Sequence, residues 1–281
     1  MKKALLIGGT GFLGSALACR LAAAGFALTL PTRRRERVKH LTILPTATVI
    51  EADVHDEATL ARLMQGQDLV VNLVGILKGD FQRTHVELPG KVARAAQAAE
   101  VPRLVHISAL GAAPDAPSGY LKSKAAGEAA LKAAYAEATV FRPSVIFGRG
   151  DSFLTLFADL LKIAPVVPLA CPEARFQPVW VEDVVAAIHA SLDQPESKGQ
   201  TYPLCGPRAY TLRELVAYVG WLTGHPRPII GLPRALSYLQ ALLMEFVGGP
   251  MTRDNVRSMQ VPNVCAAGCT LPFGLAATAL E

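Results

Sequence analysis

The chain has no apolar run approaching the ~20 residues that a membrane-spanning helix requires, although 51% of its 281 residues are hydrophobic and its mean hydropathy is +0.30. Charged residues make up only 18% and aromatics 6%. The net charge is +5 and the sequence pI about 9.0, with the basic residues Arg33, Arg34, Arg35, Arg37 and Lys39 concentrated in one cluster. Nucleic-acid recognition needs such a patch together with stacking aromatics or a recognisable module. Neither is evident, so nucleic acid is excluded as a partner. The five cysteines (Cys19, Cys171, Cys205, Cys265, Cys269) are scattered. Cys265 and Cys269 form a C-x3-C pair with no second pair and no histidine nearby, which is not a zinc-site pattern. No metal is expected, and the cysteines read as reduced thiols. Met1-Lys2-Lys3 leads directly into the first strand. A signal peptide is not expected there, because its cleavage would remove the strand and the glycine loop that follows, and the cytoplasm is the expected compartment.

What is present starts at residues 4–14, Ala-Leu-Leu-Ile-Gly-Gly-Thr-Gly-Phe-Leu-Gly. A buried strand over 2–7 runs into Gly8, Gly11 and Gly14, and an alanine- and leucine-rich helix follows over 12–24, with Gly25 at its C-terminal end. The glycines allow the tight turn, the close approach of backbone to a pyrophosphate, and the packing of helix on strand. The helix N-terminus then turns its unpaired N–H groups towards the anion. Gly8, Thr10, Gly11, Phe12, Leu13 and Gly14 are therefore assigned to a dinucleotide.

Strand-like segments recur at 26–30, 48–51, 69–74, 104–107 and 139–141, separated by helical patterns at 57–64, 86–99 and 120–134. Short apolar strands alternating with helices predict a Rossmann-like, doubly wound parallel α/β sheet covered on both faces. Ligands of such sheets bind outside the carboxyl ends of the strands. Residues 1–150 read as the dinucleotide-binding core. Residues 151–281 read as a smaller substrate-side lobe with returns to the core sheet. In that lobe the pattern predicts a strand over 177–181, a helix over 184–191, a late strand over 201–204, a helix capped by Thr211 with Glu214, a loop over 226–233 and an amphipathic helix over 234–246.

The second strand runs into Pro31-Thr32-Arg33-Arg34, where an NAD-preferring enzyme usually carries an acid for the ribose 2′-hydroxyl. Guanidiniums match a 2′-phosphate. NADP(H) is thus expected over NAD(H), held by Arg33 and Arg34. Asp53 and Val54, after the third strand, are placed at the adenine. Val74, Gly75 and Ile76, after the fourth, are placed along the adenosine ribose.

The fifth strand ends in Ser108, and Tyr120-Leu-Lys-Ser-Lys124 follows. Residues four apart share a helix face. Lys124 can thus act on Tyr120, whose unperturbed pKa of about 10 makes it a poor base. An adjacent ammonium and the nicotinamide's positive charge would both favour the phenolate and fit Tyr120 to exchange a proton with a substrate oxygen that Ser108 orients, while Lys124 can also hold the nicotinamide ribose. His85 is a substrate-side candidate, and a helix cap equally. Glu182 and Asp183 read as acids of a helix N-terminus. Leu110, Phe153 and Phe176, with Leu156 and Phe157, suggest an apolar substrate and fit plain core as well.

These motifs together resemble the extended and atypical short-chain dehydrogenase/reductases. The matching stretches are residues 8–14, Ser108, Tyr120-x-x-x-Lys124, Arg142-Pro-Ser-Val-Ile-Phe-Gly148 and Val179-Trp-Val-Glu-Asp183. The stretches around His85, Tyr120, Phe147 and Phe176 look most like the nucleotide-binding accessory subunits of mitochondrial complex I and their bacterial relatives. The resemblance implies a Rossmann core with NADP(H) bound along residues 8–14, Arg33, residues 74–76, Tyr120 and Lys124, and reaching Pro143, Ser144 and Val145 near the nicotinamide. It leaves three functions open: an oxidoreductase acting on an apolar, quinone- or isoprenoid-like carbonyl or alcohol; a non-catalytic nucleotide-binding accessory protein, peripheral at the inner face of a membrane or on a respiratory complex; and a sugar-nucleotide epimerase or dehydratase.

Overall fold

A computed structural model describes residues 1–281, except for the side chains of Arg37 and Lys39, so that part of the basic cluster lies outside the described residues. β1 (Lys3–Ile7) buries every residue after Lys3 and turns through the glycines into α1 (Phe12–Ala23). The chain continues as β2 (Ala27–Thr32), β3 (Ala47–Glu51), α2 (Glu57–Met64) and β4 (Leu69–Asn72). A π-helical segment, Gln82–Glu87, leads into α3 (Leu88–Ala98), then β5 (Leu104–Ile107), α4 (Gly119–Ala134) and β6 (Thr139–Pro143). Asp56 caps α2 by accepting from Thr59 N–H, and Ser118 caps α4 by accepting from Leu121 N–H. Beyond them come β7 (Ile146–Phe147), α5 (Phe153–Ile163), β8 (Val167–Leu169), β9 (Arg175–Phe176), β10 (Val179–Trp180), α6 (Val181–Ser191) and β11 (Thr201–Leu204). The last elements are β12 (Tyr210–Thr211), α7 (Leu212–Leu222), β13 (Ile229–Gly231), α8 (Arg234–Phe246) and α9 (Arg253–Ser258).

Seven strands form one parallel sheet in the order β11-β6-β5-β4-β1-β2-β3. The order reverses at β1 and β4, where a doubly wound sheet opens its ligand crevice. Leu6, Val71, Val105 and Phe141 pack against α1 and α6 on one face. Leu5, Val70, Leu104 and Val140 pack against α2, α3 and α4 on the other. This two-sided burial accounts for the apolar character of β4 and β5, which only Asn72 and His106 interrupt. A separate apolar cluster around Leu161, Leu169, Leu212 and Val216 forms the centre of the later elements.

Several boundaries differ from the pattern. β4 stops at Asn72, because its Oδ1 accepts from Val74 N–H at 3.2 Å and turns the chain. The helix expected from residue 86 starts earlier, in the π turn that carries His85. β13 lies inside the segment read as a loop; its pairing with β8 is a long-range contact that local composition does not reveal. The expectation that all cysteines are reduced is corrected. Cys205, just after β11, is bonded to Cys265, at a Cα–Cα distance of 6.2 Å, while Cys19, Cys171 and Cys269 are free. The two partners are 60 residues apart in sequence, and meet only because the C-terminal segment returns to the carboxyl edge of the sheet.

Candidate active site

At the carboxyl end of β1 the turn is made by glycines for distinct reasons. Gly8 has φ +82°, and a Cβ there would lie 3.1 Å from the Leu73 and Val74 backbone. A Cβ on Gly14 would strike Gly8 O and come within 2.6 Å of Gly9 Cα. Gly9, not singled out by the motif reading, is equally confined, its Cβ position lying 2.7 Å from Leu6 Cβ. Gly11 differs: its Cβ would meet only Gly8 O, at 3.4 Å, and otherwise open space. Gly11 is also the N-cap of α1 and offers no side-chain bond to the helix, which has no acid in its first turn. The result is an uncovered positive helix end with a small-residue approach. Thr10 and Phe12 are half-buried beside it and Leu13 is buried.

Towards the ends of β2 and β3, Arg33, Glu51, Ala52 and Asp53 line an open recess of about 290 Å³. Arg33 and Arg34 are exposed and have no ion-pair partner among the described residues. Asp53 Oδ1 accepts from His55 N–H at 3.0 Å, and Arg83 approaches its other oxygen at 4.0 Å. Val54 packs half-buried against the core. The register sets Glu51 beside Thr32, so an acid missing from the end of β2 in sequence is supplied next to it by β3.

The centre of the edge is built around His85. Its Nε2 accepts from Ile76 N–H at 3.0 Å, and Nδ1 lies 2.9 Å from Ser123 Oγ, whose own hydroxyl donates to Tyr120 O at 2.7 Å. Those directions assign the neutral tautomer protonated on Nδ1. Burial, then the Lys124 charge, pushes His85 down to about 3. Its ring stacks on Phe81 at 5.3 Å and meets Tyr120 edge-on at 5.5 Å. His85 thus ties the Val74–Gly75–Ile76 turn to the tyrosine helix.

Tyr120 and Lys124 project from the start of α4. Lys124 is buried, and its Nζ donates to Ile107 O at 3.2 Å and lies 3.3 Å from where a Gly75 Cβ would stand. A side chain at position 75 would crowd the ammonium, which would have to give by a few tenths of an ångström. Burial lowers Lys124 to about 8, partly offset by Glu128. Burial pushes the Tyr120 phenol up to about 12. Burial thus opposes the tilt towards phenolate expected from the neighbouring ammonium. Ser108 is buried at the end of β5, its N–H held by Phe141 O at 2.8 Å, while its Oγ has no partner among the described residues. A buried, unpaired hydroxyl costs about 1–3 kcal/mol, which a ligand oxygen there would recover.

Sequence reasoning missed three contributors. His106, on β5, is buried with neither ring nitrogen partnered, and burial drives it to about 3. Arg142 grips the buried Glu128 carboxylate through Nε at 2.8 Å and Nη2 at 2.6 Å, fastening α4 to β6. Asn263 accepts on its Oδ1 from Ser144 Oγ at 2.6 Å and Val145 N–H at 2.9 Å. Pro143, just before them, accepts from Leu110 N–H. Nothing local marks Asn263, which sits in an irregular segment. Among the substrate-side candidates, Leu110 is half-buried near this edge, whereas Phe153 and Phe176, 5.5 Å apart, pack half-buried in the lobe's apolar cluster. Asp183 accepts from Thr278 N–H at 2.7 Å and Oγ1 at 3.0 Å, joining the tail to α6.

A parallel sheet with its glycine cradle at the topological switch, and a Tyr-x-x-x-Lys pair beside a strand-end serine, define a dinucleotide-binding Rossmann protein of the short-chain dehydrogenase/reductase kind. The cradle, the unpaired Ser108 hydroxyl and the small Gly75 all suit a dinucleotide. Residues 8–150 match an NAD(P)H-binding family, and the chain belongs to it. It is 34% identical over 93% of its length to the mouse (Mus musculus) mitochondrial NADH dehydrogenase (ubiquinone) 1 alpha subcomplex subunit 9, spanning 72% of that protein. It is 31% identical to a ceramide reductase of Caulobacter vibrioides, over 68% of this chain and 61% of that protein. In fold it is similar to an epimerase of Methanothermobacter thermautotrophicus, with a TM-score of 0.73 at 17% identity over 92% of this chain and 91% of that one. It is also similar to a dTDP-glucose 4,6-dehydratase of Streptomyces venezuelae solved with NAD, with a TM-score of 0.70 at 21% identity over 83% and 85% of the two chains. Among the described residues no helix is long and apolar enough to cross a membrane, and no cluster of potential metal ligands occurs.

Proposed function

We propose that the protein is an NADPH-dependent reductase of an apolar carbonyl compound. The observation that carries this reading is the set formed by buried Ser108, its Oγ unpartnered, buried Lys124 against Gly75, and Tyr120 on the same helix face. Gly8–Gly14 would hold the pyrophosphate, Arg33 and Arg34 the 2′-phosphate, Asp53 and Val54 the adenine, and Val74–Ile76 with Lys124 and Pro143–Val145 the ribose and nicotinamide side. When bound, NADPH supplies the hydride. Ser108 Oγ donates a hydrogen bond to the substrate oxygen, and Tyr120 gives that oxygen its phenolic proton. In the reductive direction the Tyr120 phenol, protonated at neutral pH, is the donor; its burial makes it a weaker acid than a free phenol, so the proton moves only as negative charge develops on the substrate oxygen. Lys124, protonated below about 8, stabilises the phenolate left behind. The reductases among the relatives support the same direction.

Tyr120→Phe should leave NADPH affinity within about threefold and lower carbonyl-dependent NADPH oxidation by about 10²–10⁴-fold. Unchanged turnover in that variant would remove Tyr120 from the chemistry.

A second reading, a nucleotide-binding accessory protein on a respiratory complex, is favoured by the mouse relative and by α8. There Leu239, Leu243 and Phe246 are 50%, 61% and 92% exposed. Tight NADPH binding with no turnover against any carbonyl would select it.

A further inference from the structure

Two side chains near the C-terminal end reach back to opposite sides of the candidate active site. Asp254, on α9, sends both carboxylate oxygens to the start of α4: Gly119 N–H donates to Oδ1 at 2.7 Å, and Tyr120 N–H to Oδ2 at 2.9 Å. α4 already has its local cap in Ser118. Asp254 is a second cap, brought from 134 residues away to the backbone of Tyr120 itself. A carboxylate bonded to free N–H groups at a helix N-terminus is favourably placed, charge-assisted and directional.

Asn263 does the corresponding work nine positions on. Besides accepting from Ser144 and Val145, its Nδ2 donates to Leu110 O at 3.4 Å, so one amide bridges the loops that follow β5 and β6. Its backbone is fixed too, donating to Arg175 O at 2.8 Å and accepting from Gln177 N–H at 2.9 Å. Gln177 Oε1 accepts from Cys265 N–H at 2.9 Å, and Cys265 is bonded to Cys205 beyond β11. Between the two contacts, Val261 lies over Gly111, 3.7 Å from where its Cβ would be.

From this arrangement we infer that residues 252–265 form a strap across the carboxyl edge of the sheet, in which Asp254 is the positioning residue for Tyr120 and Asn263 the positioning residue for the Ser144–Val145 and Leu110 loops. The inference rests on the functional reading above for its catalytic consequence. Arg142–Glu128 and Lys124–Ile107 O tie the helix carrying the phenol to β6 and β5, and the strap adds an element bonded both to the start of that helix and to the loops carrying the nicotinamide-side contacts. A misplacement of about 1 Å at a reacting group costs on the order of 10²-fold in rate, so such a link has a use.

The test uses the full-length protein with ¹³Cζ-labelled tyrosine, Tyr120 being assigned by Tyr120→Phe. In the wild type the Tyr120 resonance should stay in its phenol position up to pH 11. In Asp254→Ala it should titrate below pH 11, as release of the backbone lets water reach the ring, with NADPH affinity unchanged within about threefold because the cradle lies elsewhere. Asp254→Asn keeps one acceptor and should fall between the two. It also serves if the alanine variant does not fold. Asn263→Ala should leave the Tyr120 resonance in place and reduce the fluorescence enhancement of bound NADPH. A Tyr120 signal still silent to pH 11 in both Asp254 variants overturns the inference, as does wild-type nicotinamide fluorescence in Asn263→Ala. Failure of the wild type to bind NADPH would overturn the functional reading instead, and the Tyr120 resonance would still decide the strap.

Discussion

Gly11→Ala should separate nucleotide binding from folding. Gly14 cannot accept a methyl group without moving backbone, so its replacement would damage fold and site together. At Gly11 the new Cβ touches only Gly8 O, at 3.4 Å, an ordinary contact, and the residue's φ of −79° and ψ of −178° suit alanine. Two small terms then oppose each other. Alanine is a poorer N-cap than glycine, and it reduces the entropy of the unfolded chain by about 0.4–1 kcal/mol. Stability should change by less than about 1 kcal/mol, a Tm shift of at most about 4 °C for a chain of this size. The methyl would fill the space through which a pyrophosphate approaches the α1 N-terminus. Loss of one charge-assisted bond there is worth about 1.5–3 kcal/mol, which is roughly a 10- to 150-fold weaker Kd. Calorimetric titration with NADPH, beside thermal unfolding of the same sample, measures both. An affinity within twofold of wild type would refute the assignment of the pyrophosphate to this helix end.

Arg33→Ala should weaken NADPH about tenfold and leave NADH unaffected, since the exposed guanidinium has no other partner among the described residues; equal losses for both nucleotides would remove it from the 2′-phosphate. His85 and His106 are buried as neutral rings with pKa values near 3, whereas the unfolded chain protonates them near 6.5. The unfolded state therefore binds more protons between those values, and stability should fall with decreasing pH from about 6.5 towards 3, by about 1.4 kcal/mol per unit for each ring. Urea midpoints at pH 7 and 5 measure that slope, and His106→Leu should reduce it by about one ring's share. Reduction of Cys205–Cys265, which closes a 60-residue loop, should cost about 4 kcal/mol on loop-closure entropy. A denaturation midpoint indifferent to reductant would show that the strap holds without the bond.

Local pattern was enough for the dinucleotide core. The run Ala4–Ile7 needs both faces covered, glycine spacing at 8, 11 and 14 specifies a turn of one kind, and Tyr120 and Lys124 share a helix face because of the helical period alone. Thr211 with Glu214 is a capping box in sequence and in structure. These features depend on residues a few positions apart, where backbone geometry converts spacing directly into contact. The substrate-side aromatics were ambiguous for the opposite reason: an apolar side chain packs as readily into the lobe as into a cleft, and Phe153 and Phe176 sit in the lobe's cluster.

What the sequence determined by itself is the parallel sheet, the glycine cradle and the order in which Ser108, Tyr120 and Lys124 arrive at its edge, all consequences of short-range periodicity and backbone freedom. What only the tertiary structure decided is the long-range set: Glu51 beside Thr32, the neutral His85 tying Ile76 to Ser123, Glu128 gripping Arg142, and the return of Asp254, Asn263 and Cys265 to the strand ends. Each of these depends on how separate elements pack, and the contacts of Asp254, Asn263 and Cys265 join segments 60 or more residues apart. A single carboxylate or amide carries no mark of its partner until packing removes the water that would otherwise satisfy it.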